Sequence, residues 1–134
     1  MRIVFALFLA AHGLIHLSYL SPAPKPTAGG PSWPFEMSRS WLVTAMNVDP
    51  GLVRAIGSVI VIVAAAAFVL AGLSWLGLVV PRDWWPMLIG VGAVASLAVL
   101  AVFFHPWILL GFAIDAVLLW LAFVAGWMPE PAGT

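Results

Sequence analysis

Four apolar stretches, each long enough to cross a bilayer, constrain this chain more than any other feature of its sequence. They cover about residues 3–20, 55–79, 84–104 and 107–127. A helix needs about 20 residues to cross a hydrocarbon core of ~30 Å, so each stretch has the length of one span. We therefore predict an all-α, single-domain integral membrane protein. It is a four-helix bundle with a long Pro-rich connection, residues 21–54, between helices 1 and 2.

The amino-acid composition also indicates lipid as the solvent. Of the 134 residues, 64% are hydrophobic and 7% are charged, whereas soluble domains carry about 25% charged residues. So few charges cannot cover the surface of a water-soluble globule. The formal net charge of zero argues against nucleic-acid binding, which needs a basic stripe. The lack of cysteine excludes disulfides and thiolate chemistry.

Aromatic residues and one turn mark the ends of the third and fourth stretches. Trp84 opens the third, and Trp107 and Trp127 bracket the fourth, as expected of indoles at a membrane interface. A single helix across residues 84–127 would be about 65 Å long at 1.5 Å per residue, which is far too long for one span. We therefore expect two helices with a tight turn at His105-Pro106.

The connection between the first two stretches differs from the rest of the chain. Residues 21–34 hold five prolines and two adjacent glycines, a composition that excludes a helix. Residues 35–47 mix apolar and polar side chains, and we expect them to form a short helix or cap on the bundle. Asp49 and Pro50 then give an N-cap followed by proline at the first helical position.

The first apolar stretch has one alternative interpretation. Arg2 precedes an apolar region that is followed by small residues, and this is also the pattern of a secretory signal peptide. His12 and His16 interrupt that apolar region. We therefore expect a retained span.

Polar side chains on three of the stretches fall at one depth in the predicted bundle. His12 lies eight residues before the end of the first stretch and Ser96 eight before the end of the third. Asp115 lies eight residues after the start of the fourth. These ends share one side of the membrane because consecutive spans alternate in direction. A carboxylate at the bilayer centre costs roughly 2.5–3.5 kcal/mol, so we expect Asp115 to pair with His12, supported by His16 and Ser96.

This His/Asp cluster is compatible with several functions. The leading hypothesis is a multi-pass membrane protein that binds a small ligand or a proton there. The alternative is a structural cluster, in which the histidines and the aspartate only satisfy one another and fix the register of the helices. The chain as a whole could instead be an accessory or structural subunit of a larger membrane complex. A metal or haem site is a third hypothesis, because a histidine pair four residues apart can chelate a transition metal. No nucleophile elbow, HExxH motif or carboxylate pair appears, so the sequence favours a protein that is not an enzyme.

The candidate residues follow from these hypotheses, and none is assigned a catalytic role. The ligand-binding candidates are His12, His16, Ser96, Asp115, Arg39 and Trp41. The metal-binding candidates are His12, His16, His105 and Asp115. The expected partners are the lipid bilayer, a small-molecule ligand, and either a second copy of the chain or a membrane complex. The sequence does not identify a cofactor.

Several short motifs together resemble the pattern of a known kind of protein. They are His12-Gly13-Leu14-Ile15-His16-Leu17, Trp33-Pro34-Phe35, Ser40-Trp41-Leu42, Trp84-Trp85, and Phe104-His105-Pro106-Trp107 running into Gly111 and Asp115. This pattern resembles a family of small four-span bacterial membrane proteins without an established activity. The resemblance covers most of the chain. It implies a multi-pass protein of the bacterial plasma (inner) membrane and no particular reaction.

Overall fold

The computed structural model describes residues 1–25 and 28–128, and this part of the chain is all-helical. Five α-helices are present there: α1 Arg2–Ile15, α2 Trp41–Thr44, α3 Pro50–Leu76, α4 Trp85–Val102 and α5 Leu109–Leu119. Short turns of 3₁₀ helix extend α1 through His16–Leu20 and precede α4 at Arg82–Trp84 and α5 at Pro106–Ile108. A π-helical turn, Trp120–Val124, follows α5.

Four of these helical segments are long and apolar enough to cross a membrane. Their bounds are Arg2–Leu20, Pro50–Leu76, Arg82–Val102 and Pro106–Val124. The predicted all-α class with four long apolar helices is therefore confirmed. The fourth segment is separate from the third, because the chain leaves the helix after Val102 and re-enters one at Pro106.

The second long helix begins earlier than the predicted apolar stretch at residue 55. Its first residue is Pro50, and the Asp49 Oδ1 atom accepts a hydrogen bond of 2.8 Å from the backbone N–H of Leu52. The cap thus sets the start of α3, and Arg54 lies within its first turns. The helix ends at Gly77, whose φ of +73° is left-handed and favours glycine.

Helix α3 is the centre of the packing, with α1 and α4 against it and α5 against α4. Glycines allow the close approach of α1 to α3. A Cβ atom added at Gly13 would lie 2.8 Å from the Cβ of Phe68, and one added at Gly72 would lie 2.8 Å from the carbonyl oxygen of Ala6. Small residues at helix contacts are the usual device for bringing apolar helices together in lipid. This contact fixes the face that α1 turns toward the interior.

The connection covers one end of the helices, as expected. A 3₁₀ turn at Met37–Arg39 and the short helix α2 form its ordered part. The Ser40 hydroxyl donates to the carbonyl oxygen of Val102 at 3.0 Å, and the Trp41 indole N–H donates to that of Ala101 at 2.9 Å. These bonds satisfy carbonyl groups at the end of α4. The prediction of an ordered cap at residues 35–47 is therefore confirmed.

Candidate functional site

A cluster of four polar side chains lies buried between α1, α4 and α5. Helix α1 and its 3₁₀ extension supply His12 and His16, which are four residues apart and therefore share a face. Helix α4 supplies Ser96 and α5 supplies Asp115. Asp115 and Ser96 are both 0% exposed. His12, Ser96 and Asp115, which the sequence predicts at one depth, therefore lie together in the structure.

The four side chains form one continuous chain of contacts. The His12 Nε2 atom lies 2.9 Å from Asp115 Oδ1, and Ser96 Oγ lies 2.5 Å from Asp115 Oδ2. The His16 Nε2 atom lies 2.7 Å from Ser96 Oγ. Its other ring nitrogen, Nδ1, donates to the carbonyl oxygen of His12 at 2.9 Å. The predicted partnership of His12 and Asp115 is therefore confirmed as a direct contact.

Aromatic rings enclose this cluster. The ring of Phe68 on α3 lies 4.7 Å from that of His12, edge to face, and 6.2 Å from that of His16. The ring of Phe8 stacks on His12 with centroids 6.1 Å apart. Rings in these positions keep the cluster in a medium of low dielectric constant, where hydrogen bonds and charges interact more strongly than in water. Phe68 carries no sequence signal, because it is one apolar residue in a long apolar stretch.

Hydrogen atoms decide the chemical state of the cluster. A carbonyl oxygen only accepts, so His16 Nδ1 carries a proton, and a serine hydroxyl has one proton to donate. If Asp115 is ionised, Ser96 donates to it, and His16 Nε2 must carry a second proton to bond Ser96. If His16 is neutral, Ser96 donates to Nε2, and Asp115 must be protonated to donate to Ser96. Both arrangements hold one proton more than an ionised aspartate with neutral histidines.

The two arrangements differ only in where protons lie along the chain of contacts. In the first, His16 is positive and Asp115 negative; in the second, both are neutral. His12 donates from Nε2 to Asp115 Oδ1 in either case. Without the extra proton, Ser96 can satisfy only one of His16 and Asp115. Two acceptor atoms would then face each other at 2.5–2.7 Å, and one of the contacts would have to open.

An apolar crevice of about 160 Å³ leads from the side of the connection to the two histidines. Tyr19 and Phe35 lie on its wall with His12 and His16, and α4 and α5 form the opposite wall. Gly111 lies on that wall, and a Cβ atom there would come within 2.9 Å of the Leu100 side chain. Within the described residues, the buried Tyr19 hydroxyl has no hydrogen-bond partner. The crevice thus reaches the two histidines of the cluster, whereas Ser96 and Asp115 do not line it.

No protein-family model, curated protein or solved structure matches this chain. What the cluster can do chemically is therefore argued from the contacts among its four side chains. The family resemblance of the short motifs stays an expectation. Two of those motifs, at residues 12–17 and 104–115, supply His12, His16 and Asp115 to the cluster.

The structure does not bring the remaining two ligand candidates to the cluster. The Arg39 guanidinium is paired with Glu36 at 3.1 Å, and its side chain is 60% exposed. The Trp41 indole N–H is used in the bond to Ala101. Both belong to the cap, because α2 and its 3₁₀ turn lie across the end of α4. The prediction that grouped Arg39 and Trp41 with the histidines is therefore not matched by their positions.

Of the four metal candidates, His105 lies apart from the cluster. His105 belongs to the turn before α5, where its Nδ1 accepts from the backbone N–H of Trp107 at 3.2 Å. Its Nε2 therefore carries the proton and donates to the Ser32 hydroxyl at 2.9 Å. Among the residues that the structure describes, no group of three His, Cys, Asp or Glu side chains is arranged to hold a metal ion. Both ring nitrogens of His16 are likewise engaged in hydrogen bonds.

Proposed function

We propose that this chain is a multi-pass protein of the bacterial plasma membrane that binds one exchangeable proton at its His/Asp cluster, with a small ligand in the adjoining crevice. The single observation that carries the proposal is the hydrogen count at Ser96. One hydroxyl proton has to serve both His16 and Asp115, so the cluster is complete only when it holds an added proton.

The outer surface of the helices supports a membrane location. Large apolar side chains are exposed on all four long helices, among them Leu7, Val59, Val94 and Leu110. Soluble monomers rarely expose apolar patches of more than a few hundred Å². Lipid tails would cover these faces, and the buried Asp115 would then be an intramembrane carboxylate, a feature typical of ion and proton pathways.

The geometry favours proton binding over a purely structural role. A structural pair that only fixes helix register would be satisfied with neutral histidines and an ionised aspartate. Here the proton can pass from His16 Nε2 to Ser96 Oγ while the Ser96 hydroxyl proton passes to Asp115 Oδ2. That shift neutralises both charges, breaks no contact and needs no other reactant. The cluster can therefore hold its proton at either end.

The crevice suggests how a ligand could be coupled to this proton. Its walls are mostly apolar, while Tyr19, His12 and His16 contribute polar groups. A small molecule there would lie against the histidines, and an acceptor group on it would satisfy the buried Tyr19 hydroxyl once that group turns toward the crevice. The space of about 160 Å³ limits such a ligand to a few heavy atoms, because drug-sized ligands occupy about 300–1,000 Å³.

The rival hypothesis of an accessory subunit finds less support. It required a filled site and a face rich in small residues left over for a partner helix. The crevice instead reaches His12 and His16. The glycines of α1, α3 and α4 at Gly13, Gly72 and Gly92 are used in contacts within this chain.

Asp115→Asn tests the proposal. The amide can accept from His12 and donate to Ser96, whose hydroxyl then donates to neutral His16, so every contact is kept without the added proton. In lipid, nitrogen NMR of the histidine rings and the infrared band of a protonated carboxyl group should show one shared proton in the wild-type protein. The variant should be folded and should keep neutral His16 throughout the same pH range. Asp83→Asn, an exposed aspartate before α4, is the matched control and should leave the His16 titration unchanged.

One result would contradict the proton assignment. In that result, the wild-type protein has a neutral His16 and an ionised Asp115 while both side chains still contact Ser96. If His16 titrates identically in wild-type protein and Asp115→Asn, the cluster is structural. If the proton is present but no small solute shifts the His12 resonances, the ligand half of the proposal is wrong and the proton half stands.

A further inference from the structure

A second and larger cavity lies at the end of the helices opposite the connection. It has a volume of about 490 Å³, which is within the range of about 300–1,000 Å³ typical of small-molecule sites. The start of α1, the end of α3 and the segment after α5 form its walls. The lining residues are Met1, Arg2, Val4, Phe5, Phe8, Trp75, Trp127 and Met128.

Two buried hydrogen-bond donors, on residues that line this cavity, have no acceptor within the described ranges 1–25 and 28–128. Trp75 is 4% exposed, and its buried indole N–H is unpartnered there. The buried Nε of Arg2 is unpartnered as well, while Nη2 of the same guanidinium donates to the Trp75 carbonyl oxygen at 3.3 Å. The neighbouring indole of Trp85 donates to the carbonyl oxygen of Trp127 at 2.9 Å. Trp75 is thus an exception within its own aromatic cluster.

The donors and the walls specify complementary parts of a ligand. Arginine and indole N–H groups only donate, so the matching head group must accept hydrogen bonds, and the guanidinium charge favours an anion. The walls contributed by Val4, Phe5 and Phe8 are apolar, so the rest of the molecule should be a hydrocarbon. A planar carboxylate matches the planar fork of arginine. The volume of about 490 Å³ suits one chain better than the two chains of a membrane phospholipid.

We propose that this cavity, which the proton cluster does not use, binds a single-chain carboxylate amphiphile of the fatty-acid class. The carboxylate would accept from the Arg2 guanidinium, and from the Trp75 indole N–H once that buried group turns toward the cavity. The alkyl chain would lie along Phe5 and Phe8 on α1. The proposal is independent of the proton at Asp115.

Binding can be measured with palmitate that carries a carbon-13 carboxyl group, added to the full chain in uncharged detergent or neutral-lipid nanodiscs. Arg2→Gln should weaken binding by about tenfold or more, because it removes a bond to a charged group. Trp75→Phe keeps the ring and removes the N–H donor, and it should weaken binding several-fold. Arg82→Gln is the matched control. Arg82 is also an arginine at a helix end, with a guanidinium 3.5 Å from the carbonyl oxygen of Leu76, and it does not line the cavity.

Each arm of this experiment supports the proposal or overturns it. Equal affinity for methyl palmitate, which has no charge, would exclude carboxylate recognition, and tighter binding of a lysophospholipid would assign the site to a phosphate head group. If the wild-type protein does not bind palmitate and Glu130→Gln does, the carboxylate of Glu130 competes for Arg2, and the proposal for the wild-type protein is wrong. Equal losses in Arg2→Gln and Arg82→Gln would point to nonspecific charge attraction. Asp115→Asn should bind palmitate unchanged, so failure here is separable from failure of the proton proposal.

Discussion

Ser96→Ala is the most informative single change, because it removes one oxygen atom and leaves the packing volume almost unchanged. Ser96 is 0% exposed, and its hydroxyl bridges His16 Nε2 and Asp115 Oδ2. The substitution therefore leaves one polar atom on the 3₁₀ extension of α1 and one on α5 without their partner. Three helices lose a common contact at once.

The expected loss of unfolding free energy can be worked from these contacts. A hydrogen bond between helices in lipid averages ~0.6 kcal/mol, so two bonds give about 1.2 kcal/mol. A buried polar atom left without a partner adds roughly 1–3 kcal/mol, and local rearrangement recovers part of that. We expect a total loss of about 2–3 kcal/mol. By the relation of 1.36 kcal/mol per factor of ten, this is roughly a 30- to 150-fold change in the unfolding equilibrium constant.

Ser74→Ala is the matched control, because Ser74 is a serine of equal burial on α3. Its hydroxyl makes one bond, of 2.7 Å, to the carbonyl oxygen of Pro81. Pro81 is exposed, so its carbonyl can bond to water after the change, and we expect a loss of about 0.6 kcal/mol. Reversible unfolding in mixed micelles, or steric trapping in bicelles, would measure both variants. Losses that agree within about 0.5 kcal/mol would refute the bridging role of Ser96.

Three further outcomes test other parts of the fold. Gly13→Val should destabilise the protein by about 1–3 kcal/mol, because the valine side chain would collide with Phe68. Unfolding in mixed micelles measures this loss, and an unchanged stability would contradict the close α1–α3 contact. Asp49→Ala should cost about 1 kcal/mol through loss of the α3 cap, whereas Asp49→Asn should cost little. Trp41→Phe should speed hydrogen exchange across residues 37–44, because the bond to Ala101 is lost; slow exchange there would show that the cap does not depend on that bond.

Much of the fold could be predicted because it depends on local chemistry. The number of long helices follows from apolar length, and the turn at His105-Pro106 follows from the length limit of one span. The start of α3 was predicted from Asp49 and Pro50, which are start signals in themselves, and it is confirmed. The apolar stretch begins only at residue 55 because hydropathy responds to Arg54, whereas a cap does not depend on hydropathy.

The depth of the cluster was also determined by the sequence. The rise of an α-helix is fixed at 1.5 Å per residue, so equal counts from helix ends place His12, Ser96 and Asp115 at similar depth. The cost of burying a carboxylate alone then requires a partner at that depth. The exclusion of His105 from the cluster required the tertiary structure, because the geometry of one turn decides which way that ring points.

What only the tertiary structure decided is the rotation of each helix about its axis. Helices that are apolar on every side carry no pattern that marks the inward face. Close packing at Gly13 and Gly72 sets that rotation for α1. It thereby decides that one Ser96 hydroxyl serves both His16 and Asp115. The sequence determined which polar groups had to be buried together, and the packing of small residues determined which of their atoms are in contact.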